Sequence, residues 1–521
     1  LVEILAQKIR KQVHIRIIGD YDVDGVTSSH LFLTALRRVG AKVDVVIPHR
    51  IQDGYGLSLH LLQQAKEDGV DTILTCDNGI AAIDEIAWAK AQKMTVLVTD
   101  HHAVPFEEHE GRRTEKKSLA DAVVNPHQQD CGYKELCGAG VAWNVIRVLY
   151  ENYDMDKREA EDLLDFVAMA TVCDVMSLTG ENRILVKEGL KRIRHTKNIG
   201  LQALMQACNV QPENISAYHF GYVLGPCVNA TGRLDTARHA LRLFETGQET
   251  EAEEIARDLV DLNQERKELT LQGVEMAKKL CEEGGYENDP VLVLFLPDVH
   301  ESIAGLIAGR IREVYNRPVF VLTRGEEGVK GSGRSTENYS MYENMCGCAE
   351  LFTKFGGHPM AAGLSLPEEN VEKFRRKINE NCPLTVEEVC PDIHIDMAMP
   401  VGYASTELVH QFALLEPFGK DNPSPLFADR NLSISRMWLI GKNRNVLRMS
   451  VLSEYGQPVP VIFFGDVETL FAYFTEKFGQ KEVENALHGR KNRILFSMVY
   501  TAKIDFYQGN ENLQLEMKYY R

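Results

Sequence analysis

The chain has 521 residues, 44% hydrophobic and 26% charged, with a formal net charge of −17. At roughly 100 to 200 residues per domain, that length calls for about three domains, which excludes a single small binding module. The ordinary globular composition, with no long Pro/Gly/Ser tract, excludes large-scale disorder. The longest uninterrupted apolar stretch, Val291 to Leu296, falls far short of the ~20 residues a membrane-spanning helix needs, so a cytoplasmic protein with no membrane partner is expected. The eleven cysteines are odd in number and contain no C-x2-C pair, which reads as reduced thiols rather than a disulfide framework or a zinc ribbon. An acidic surplus repels a polyanion such as nucleic acid, unless the carboxylates gather around bound cations that invert the local potential.

Residues 14 to 128 repeat a short β-branched run, a turn and a stretch of helical periodicity, which predicts βαβ architecture. Strands are expected over His14 to Ile18, Lys42 to Ile47, Thr72 to Thr75, Thr95 to Thr99 and Ala122 to Val124, with helices near 27–39, 58–68 and 81–92. The strands read as continuous apolar runs, the pattern of a parallel sheet covered on both faces. From about 140 to 285 the sequence is mainly helical, and its charged stretch Gln248 to Glu283 has so few breakers that it predicts one connecting helix. A second α/β unit opens at Val291, continues through a helix at Ser302 to Tyr315 and a strand at Pro318 to Leu322, and closes in the glycine-rich run Gly356 to Leu366. Beyond Pro391, short alternating segments separated by turn residues predict a small β-barrel of OB-like form. The expected domains are therefore a parallel-sheet unit over 1–210, a helical connector over 211–285, an α/β unit over 286–388 and an OB-like nucleic-acid-binding barrel over 389–521. The chain starts at Leu1 and reaches its first strand almost at once, which reads as a shortened N-terminus.

The first strand runs into Gly19-Asp20-Tyr21-Asp22-Val23-Asp24-Gly25, with three carboxylates on alternate positions. The third ends in Cys76-Asp77-Asn78-Gly79 and the fourth in Thr99-Asp100-His101-His102. In a parallel sheet these positions all lie at carboxyl ends, where α/β proteins bind ligands, so residues far apart in sequence converge. Asp174, after a helical apolar run, is a candidate to complete the ring. Carboxylates with one or two imidazoles, and no thiolate pair, suit Mn²⁺ or Mg²⁺. So many like charges need neutralising, and two ions ~3.5 to 4 Å apart are the usual arrangement for hydrolysing a phosphodiester. Asp/Gly-rich strand ends are also ordinary turns, which is a sufficient account of the first loop alone but not of the whole set. Two other features stay open. Gly138-Ala139-Gly140 either presents helix-terminal amides to a phosphate or lets its helix pack closely on the sheet, and the basic positions Lys187, Lys191, Arg192, Arg194 and Lys197 either track a nucleic-acid backbone or form a solvated helix face.

The Asp-x-Asp-x-Asp-Gly loop, Asp77-Asn78-Gly79, Asp100-His101-His102 and the run from Asp174 to Arg183 resemble the four motifs of the DHH phosphoesterase superfamily. Gly356-Gly357-His358 with Met360-Ala361-Ala362-Gly363 resembles its partner domain, DHHA1. Three further segments resemble the branch of that superfamily that degrades single-stranded DNA from its 5′ end in recombination and repair: Pro48-His49-Arg50 followed by Asp53-Gly54-Tyr55-Gly56, Asn229-Ala230 with Gly232-Arg233, and Leu415 to Gly419. The resemblance implies a single-strand-specific exonuclease, a hydrolase working with two Mn²⁺ or Mg²⁺ ions held by Asp20, Asp22, Asp24, Asp77, His101 and Asp174. It implies catalytic roles for His102, beside the metals, and for His358, across the cleft from them. It also implies a grip on the 5′ end by Arg50, Tyr55, Arg233, Ser332 and Arg334, and these types fit, since arginine forks match phosphate oxygens and tyrosine offers a stacking face. Single-stranded DNA is the implied partner of a monomer, with a helicase and a single-strand-binding protein as protein partners. Two positions depart from the pattern: Val299 stands where tryptophan is common, and Cys227 where arginine often precedes Asn-Ala. Two competing readings are weaker. A haloacid-dehalogenase-type phosphatase would use Asp22-Val23-Asp24-Gly25 but has no need of Asp-His-His, and a non-enzymatic DNA-binding scaffold would have lost ligand positions that are all filled here.

Overall fold

The computed structural model describes the chain except residues 51–52, 54–55, 110–111, 129–131, 287, 326–327, 386–387, 389–392, 442–443 and 508–509. Tyr55 lies outside the described residues. The chain forms two compact units, Leu1–Asp392 and Ile393–Arg521.

The first unit opens on a parallel sheet of β1 (Ile15–Ile18), β2 (Val43–Val46), β3 (Thr72–Cys76), β4 (Thr95–Thr99) and, after a hairpin of β5 (Phe106–His109) and β6 (Arg112–Glu115), β7 (Ala122–Val124). The order is β2-β1-β3-β4-β7, all parallel. The predicted strands are all present. Every residue of β1 and β3 is buried, as continuous apolar runs covered on both faces require. After β2 the sheet grows on the other side of β1, so the carboxyl ends of β1 and β3 flank a topological switch point, the crevice where such sheets bind ligands.

Helices Gly138–Asn152, Leu164–Cys173, Ile199–Ala207, Gly225–Leu234 and Arg238–Glu245 pack with helix Val23–Arg38 around a core that includes Phe32, Tyr150, Phe166, Phe220 and Phe244. The expected connecting helix is one element, Glu249–Glu283, of 35 residues. Its first half contributes Ala252, Ile255, Ala256 and Leu259 to that core. Its second half contributes Val274, Ala277 and Cys281 to the next core. It therefore joins two hydrophobic centres that each bury one end of it.

The second sheet contains β8 (Leu292–Phe295), β9 (Val319–Gly325), β10 (Gly328–Arg334), β11 (Lys354–His358) and β12 (Ala361–Leu366), in the order β11-β12-β10-β9-β8. Only β8 and β9 run parallel. Strand β10 was not expected, because Gly-Val-Lys-Gly-Ser-Gly-Arg has too little β propensity. Packing explains the glycines: a Cβ on Gly331 would come within 2.4 Å of Leu322 and one on Gly333 within 2.5 Å of Met341.

In the second unit, β13 (Met397–Ala398) pairs with β14 (Phe427–Ile440). Strands β14, β15 (Val446–Leu452), β16 (Pro458–Phe463), β18 (Asn510–Tyr520) and β17 (Leu495–Tyr507) then follow in ring order, and β17 pairs back onto β14 to close a five-stranded barrel. Closure removes free sheet edges, as the OB-like expectation requires. Among the described residues no helix is long and apolar enough to cross a membrane.

Candidate active site

The loop after β1 is tight because glycine stands at both ends. A Cβ on Gly19 would meet the Ser29 hydroxyl at 2.0 Å, and one on Gly25 would meet the Asp20 backbone at 2.5 Å. Asp22 caps helix Val23–Arg38, its carboxylate accepting from Gly25 N at 3.0 Å. The buried Asp24 carboxylate accepts from Gly138 N at 2.5 Å and Ala139 N at 2.8 Å, so the N-terminus of helix Gly138–Asn152 anchors it. Those two amides are therefore engaged within the protein and are not a phosphate cradle. Gly138 is also required sterically, since a Cβ there would come within 2.6 Å of the Asp77 Cβ.

Asp77 sits in the left-handed region at φ +60° and donates its amide to Thr99 O at 3.1 Å. Next to it, Asn78 Nδ2 donates to Ile18 O at 3.0 Å and Cys76 O at 2.8 Å, tying the end of β1 to the end of β3. His101, following β4, brings Nε2 to 3.1 Å from Asp77 Oδ1, 3.6 Å from Asp174 Oδ2 and 3.7 Å from Asp24 Oδ2. Asp174 arrives from outside the sheet, as the C-terminal cap of helix Leu164–Cys173. The ligating atoms form three groups, Asp20/Asp22/Asp77, Asp24/His101/Asp174 and Asp77/His101/His102, each within 4.8 Å. All six expected metal residues thus converge, and Asp77 belongs to two of the groups.

Asp100 has a part that the sequence reading did not assign. Its Oδ2 accepts from Ile80 N at 2.8 Å, while its Oδ1 accepts from the amides of His101 (2.7 Å) and His102 (3.1 Å) and from His102 Nδ1 (2.8 Å). The signal was present, because a carboxylate directly before two histidines can reach both of their amides. Burial works against a charged His102, but the hydrogen bond and charge of Asp100 outweigh it and hold its pKa up at about 9.

Burial, then repulsion from Asp22, raises Asp20 well above the usual carboxylate range, and burial followed by repulsion from Asp24 and Asp22 does the same to Asp77. Asp22 is raised by burial and by Asp24. Burial lowers His101. Asp20 Oδ1 is buried with no hydrogen-bond partner among the described residues. An acceptor left over in a crowd of carboxylates fits a divalent cation, and the oxygen and imidazole donor set fits Mn²⁺ or Mg²⁺.

A cavity of about 440 Å³ joins this loop to the second sheet, with Tyr21, Arg50, Lys330, Ser332 and Gly356 in its walls. The Arg50 guanidinium lies 4.8 Å from the Tyr21 ring centroid. Arg233 donates to Ser302 O at 2.5 Å, and Arg334 to Gly333 O at 2.7 Å. Burial, then repulsion from Arg50, Arg266 and Arg334, brings Arg233 down to about 10, while burial with Arg312 and Arg50 lowers Arg334. The Asn-Ala-x-Gly-Arg segment also supports the loop after β1: Asn229 Oδ1 accepts from Val23 N at 3.1 Å, and a Cβ on Gly232 would come within 2.5 Å of Tyr21 O. His358 is exposed at the end of β11, two residues beyond Gly356, and among the described residues it makes no hydrogen bond or ion pair with the aspartates. The two departures are interior positions. Val299 packs in the core that holds Ile307, and Cys227 accepts from Asn263 Nδ2 at 3.3 Å.

Known proteins bear on this arrangement. The DHH family N-terminal domain matches residues 14–171, the DHHA1 domain 288–382 and the RecJ OB domain 395–519. The single-stranded-DNA-specific exonuclease RecJ of Haemophilus influenzae is 33% identical, over 99% of this chain and 89% of its own length. The chain belongs to the RecJ family. RecJ of Bacillus subtilis is also 33% identical over 87% of this chain, which spans 56% of that longer protein. The crystal structure of RecJ from Thermus thermophilus in complex with Mn²⁺ is similar over 100% of this chain and 70% of its own, with a TM-score of 0.80 and 26% identity. A RecJ exonuclease structure bound to manganese is similar over 73% of this chain and 92% of its own, with a TM-score of 0.62 and 32% identity. RecJ family membership accounts for all three folded modules and for their order along the chain.

Proposed function

We propose that the protein is a metal-dependent exonuclease that hydrolyses single-stranded DNA from its 5′ end. The observation that carries this reading is the adjacency of a carboxylate cluster with an unsatisfied buried oxygen to a cleft lined by Arg50, Lys330 and Lys354. Asp24, His101 and Asp174 would hold one Mn²⁺ or Mg²⁺ ion and Asp20 and Asp22 a second, with Asp77 within reach of both groups. Two such ions supply an activated water and neutralise charge on the scissile phosphate. His102, kept protonated by Asp100, donates to an oxygen of that phosphate. His358 acts on the same phosphate from the second sheet. Arg50, Arg233, Ser332 and Arg334 take the 5′ phosphate through charge-assisted hydrogen bonds, and Tyr21 and Tyr55 stack on the terminal base.

In the second unit, Trp438 lies opposite Arg448 in the ladder, with the guanidinium carbons of Arg436 and Arg448 at 5.7 and 5.9 Å from its ring, a surface suited to stacking on single-stranded bases. The domain bounds 1–210, 211–285, 286–388 and 389–521 follow this division of labour. A monomer in the cytoplasm, working with a helicase and a single-strand-binding protein, completes the proposal. The test is degradation of 5′-labelled single-stranded and blunt duplex DNA of one sequence. Metal-dependent release of mononucleotides from the single strand is expected, with no activity in EDTA. Equal rates on the duplex would overturn the reading.

A further inference from the structure

The two helices that carry the catalytic carboxylates at one end wall a second cavity farther along. Helix Val23–Arg38 has Asp22 and Asp24 at its start and brings His30, Thr34, Arg37 and Arg38 to this cavity. Helix Leu164–Cys173 ends at Asp174 and contributes Asp165 and Phe166. At about 1.5 Å per residue, His30 stands about 9 Å along its helix from Asp24. The cavity measures about 800 Å³, larger than the cleft beside Arg50 and within the ~300 to 1,000 Å³ of small-molecule sites.

Its floor is aromatic. The His30 and Phe166 rings lie 4.5 Å apart, His30 and Phe244 5.8 Å, and Phe166 and Phe244 5.0 Å. His30 is only 6% exposed, and its Nδ1 has no hydrogen-bond partner among the described residues. Glu245 Oε1, also at this cavity, is buried with none either. Burial, with Arg37 adding repulsion, pushes His30 down to about 3, so the ring at the floor is neutral, and its Nδ1 is buried and unused. An orphaned buried nitrogen costs stability unless something fills its valence.

The lining carries five cationic side chains in a chain whose net charge is −17, together with the carboxylates Asp162, Asp165, Glu188 and Glu245. The cations are Arg37, Arg38, Lys191, Arg192 and Lys197. Lys191 pairs with Glu188 at 2.6 Å and Arg192 with Glu161 at 2.5 Å. Exposed pairs of this kind are worth ~0 to 1 kcal/mol, so a phosphate can displace them. Lys197 makes no ion pair among the described residues and stands next to Asn198, the cap of helix Ile199–Ala207.

An aromatic floor beside an unpartnered buried imidazole nitrogen, with five cations around it of which Lys197 makes no ion pair among the described residues, matches a planar base joined to a phosphate. We propose that this cavity is a regulatory nucleotide site, with the base of a nucleoside phosphate against His30, Phe166 and Phe244 and the phosphate among Lys191, Arg192 and Lys197. The regulatory part rests on the function proposed above, whose products are nucleoside 5′-monophosphates. A bound nucleotide bears on both helices that end in metal-binding aspartates, so occupancy slows hydrolysis as product accumulates.

The test is calorimetric titration of deoxyadenosine 5′-monophosphate, and separately of inorganic phosphate, into the full chain in EDTA, which removes metal-dependent binding at the catalytic centre. Apart from any nucleotide taken by the arginines of the cleft, which Arg334→Ala weakens, saturable binding of one nucleotide per chain is expected, tighter than phosphate, and weakened at least about tenfold by Lys197→Glu and by the cavity-filling Thr34→Phe. With metal restored, the nucleotide should slow degradation of a long single strand by wild type and not by Lys197→Glu. Lys197 is exposed, so that variant tests the site even if Thr34→Phe fails to fold. The site is overturned if no saturable binding occurs, if both folded variants bind like wild type, or if phosphate binds as tightly as the nucleotide. Exonuclease activity without nucleotide binding would sink the site and spare the proposed function. Nucleotide binding sensitive to Lys197→Glu in a protein that degrades no DNA would sink the function and retain the site.

Discussion

Five carboxylates, Asp20, Asp22, Asp24, Asp77 and Asp174, crowd the carboxyl end of the first sheet, while Arg50 lines the neighbouring cleft, with Arg233 and Arg334 near enough to feel its charge. Burial and like-charge repulsion act on both groups, raising Asp20 and Asp77 and lowering Arg233 and Arg334. Each half holds repulsion that only the opposite charge relieves, a cation on one side and a phosphate on the other. They differ in how they are held. The acidic side is fixed by backbone and glycine contacts, such as the Gly138 and Ala139 amides on Asp24, whereas the arginines are long side chains hung from carbonyls of Ser302 and Gly333. Changes on the acidic side should therefore act nearly all or none, and changes on the basic side by degrees.

The largest effect is expected at Asp77, which belongs to two of the three metal-binding groups. Asp77→Ala should leave less than about a hundredth of the wild-type rate, a loss of ~2.7 kcal/mol or more in barrier terms. The circular dichroism spectrum should stay native, because the side chain relieves no apolar burial. A variant with a tenth of the rate would mean that the acidic side is no more rigid than the basic one. Gly138→Ala comes next: its new Cβ pushes on Asp77, and supporting residues of metal sites are typically worth ~10- to 100-fold. Added Mn²⁺ should recover part of that loss, and a wild-type metal dependence would show that the helix can shift without moving Asp77.

On the basic side, Arg334→Ala should shrink the preference for 5′-phosphate over 5′-hydroxyl strands by about tenfold, the scale of one charge-assisted hydrogen bond at ~1.5 to 3 kcal/mol. An unchanged preference with a uniformly slower rate would place Arg334 at the scissile phosphate and erase the division between the halves. The smallest effect concerns stability alone. His30 is held near 3 in the fold against an ordinary 6.5, so the folded state resists its protonation. Its contribution is complete above pH 6.5 and is lost as pH falls toward 3, amounting to on the order of 2 kcal/mol by about pH 5. His30→Leu should therefore lose less thermal stability than wild type between neutral pH and about pH 5. Equal losses would show that His30 already takes up protons in the folded protein.

The ring of acidic residues was legible because a parallel sheet gathers its strand ends at one edge, so Asp20, Asp77 and His101 needed no distances to be grouped. Asp174 was legible only by its motif, since nothing in a helical run announces that its end returns to the sheet. Gly138 was read as ambiguous because its role depends on a contact with Asp77, far away in sequence, that no spacing reveals. Strand β10, which carries Ser332 and Arg334, stayed hidden because its glycines serve close packing rather than β propensity. Cys227 and Val299 stood out as departures from the family pattern, and the structure puts both in the interior, at Asn263 and beside Ile307.

The central claim is that the acidic half exists to hold two cations through a shared Asp77. Calorimetric titration of Mn²⁺ into metal-free protein tests it most directly. Two ions per chain are expected for wild type, with Asp77→Ala weakening both. One ion or none, or undiminished binding by Asp77→Ala, would contradict the account.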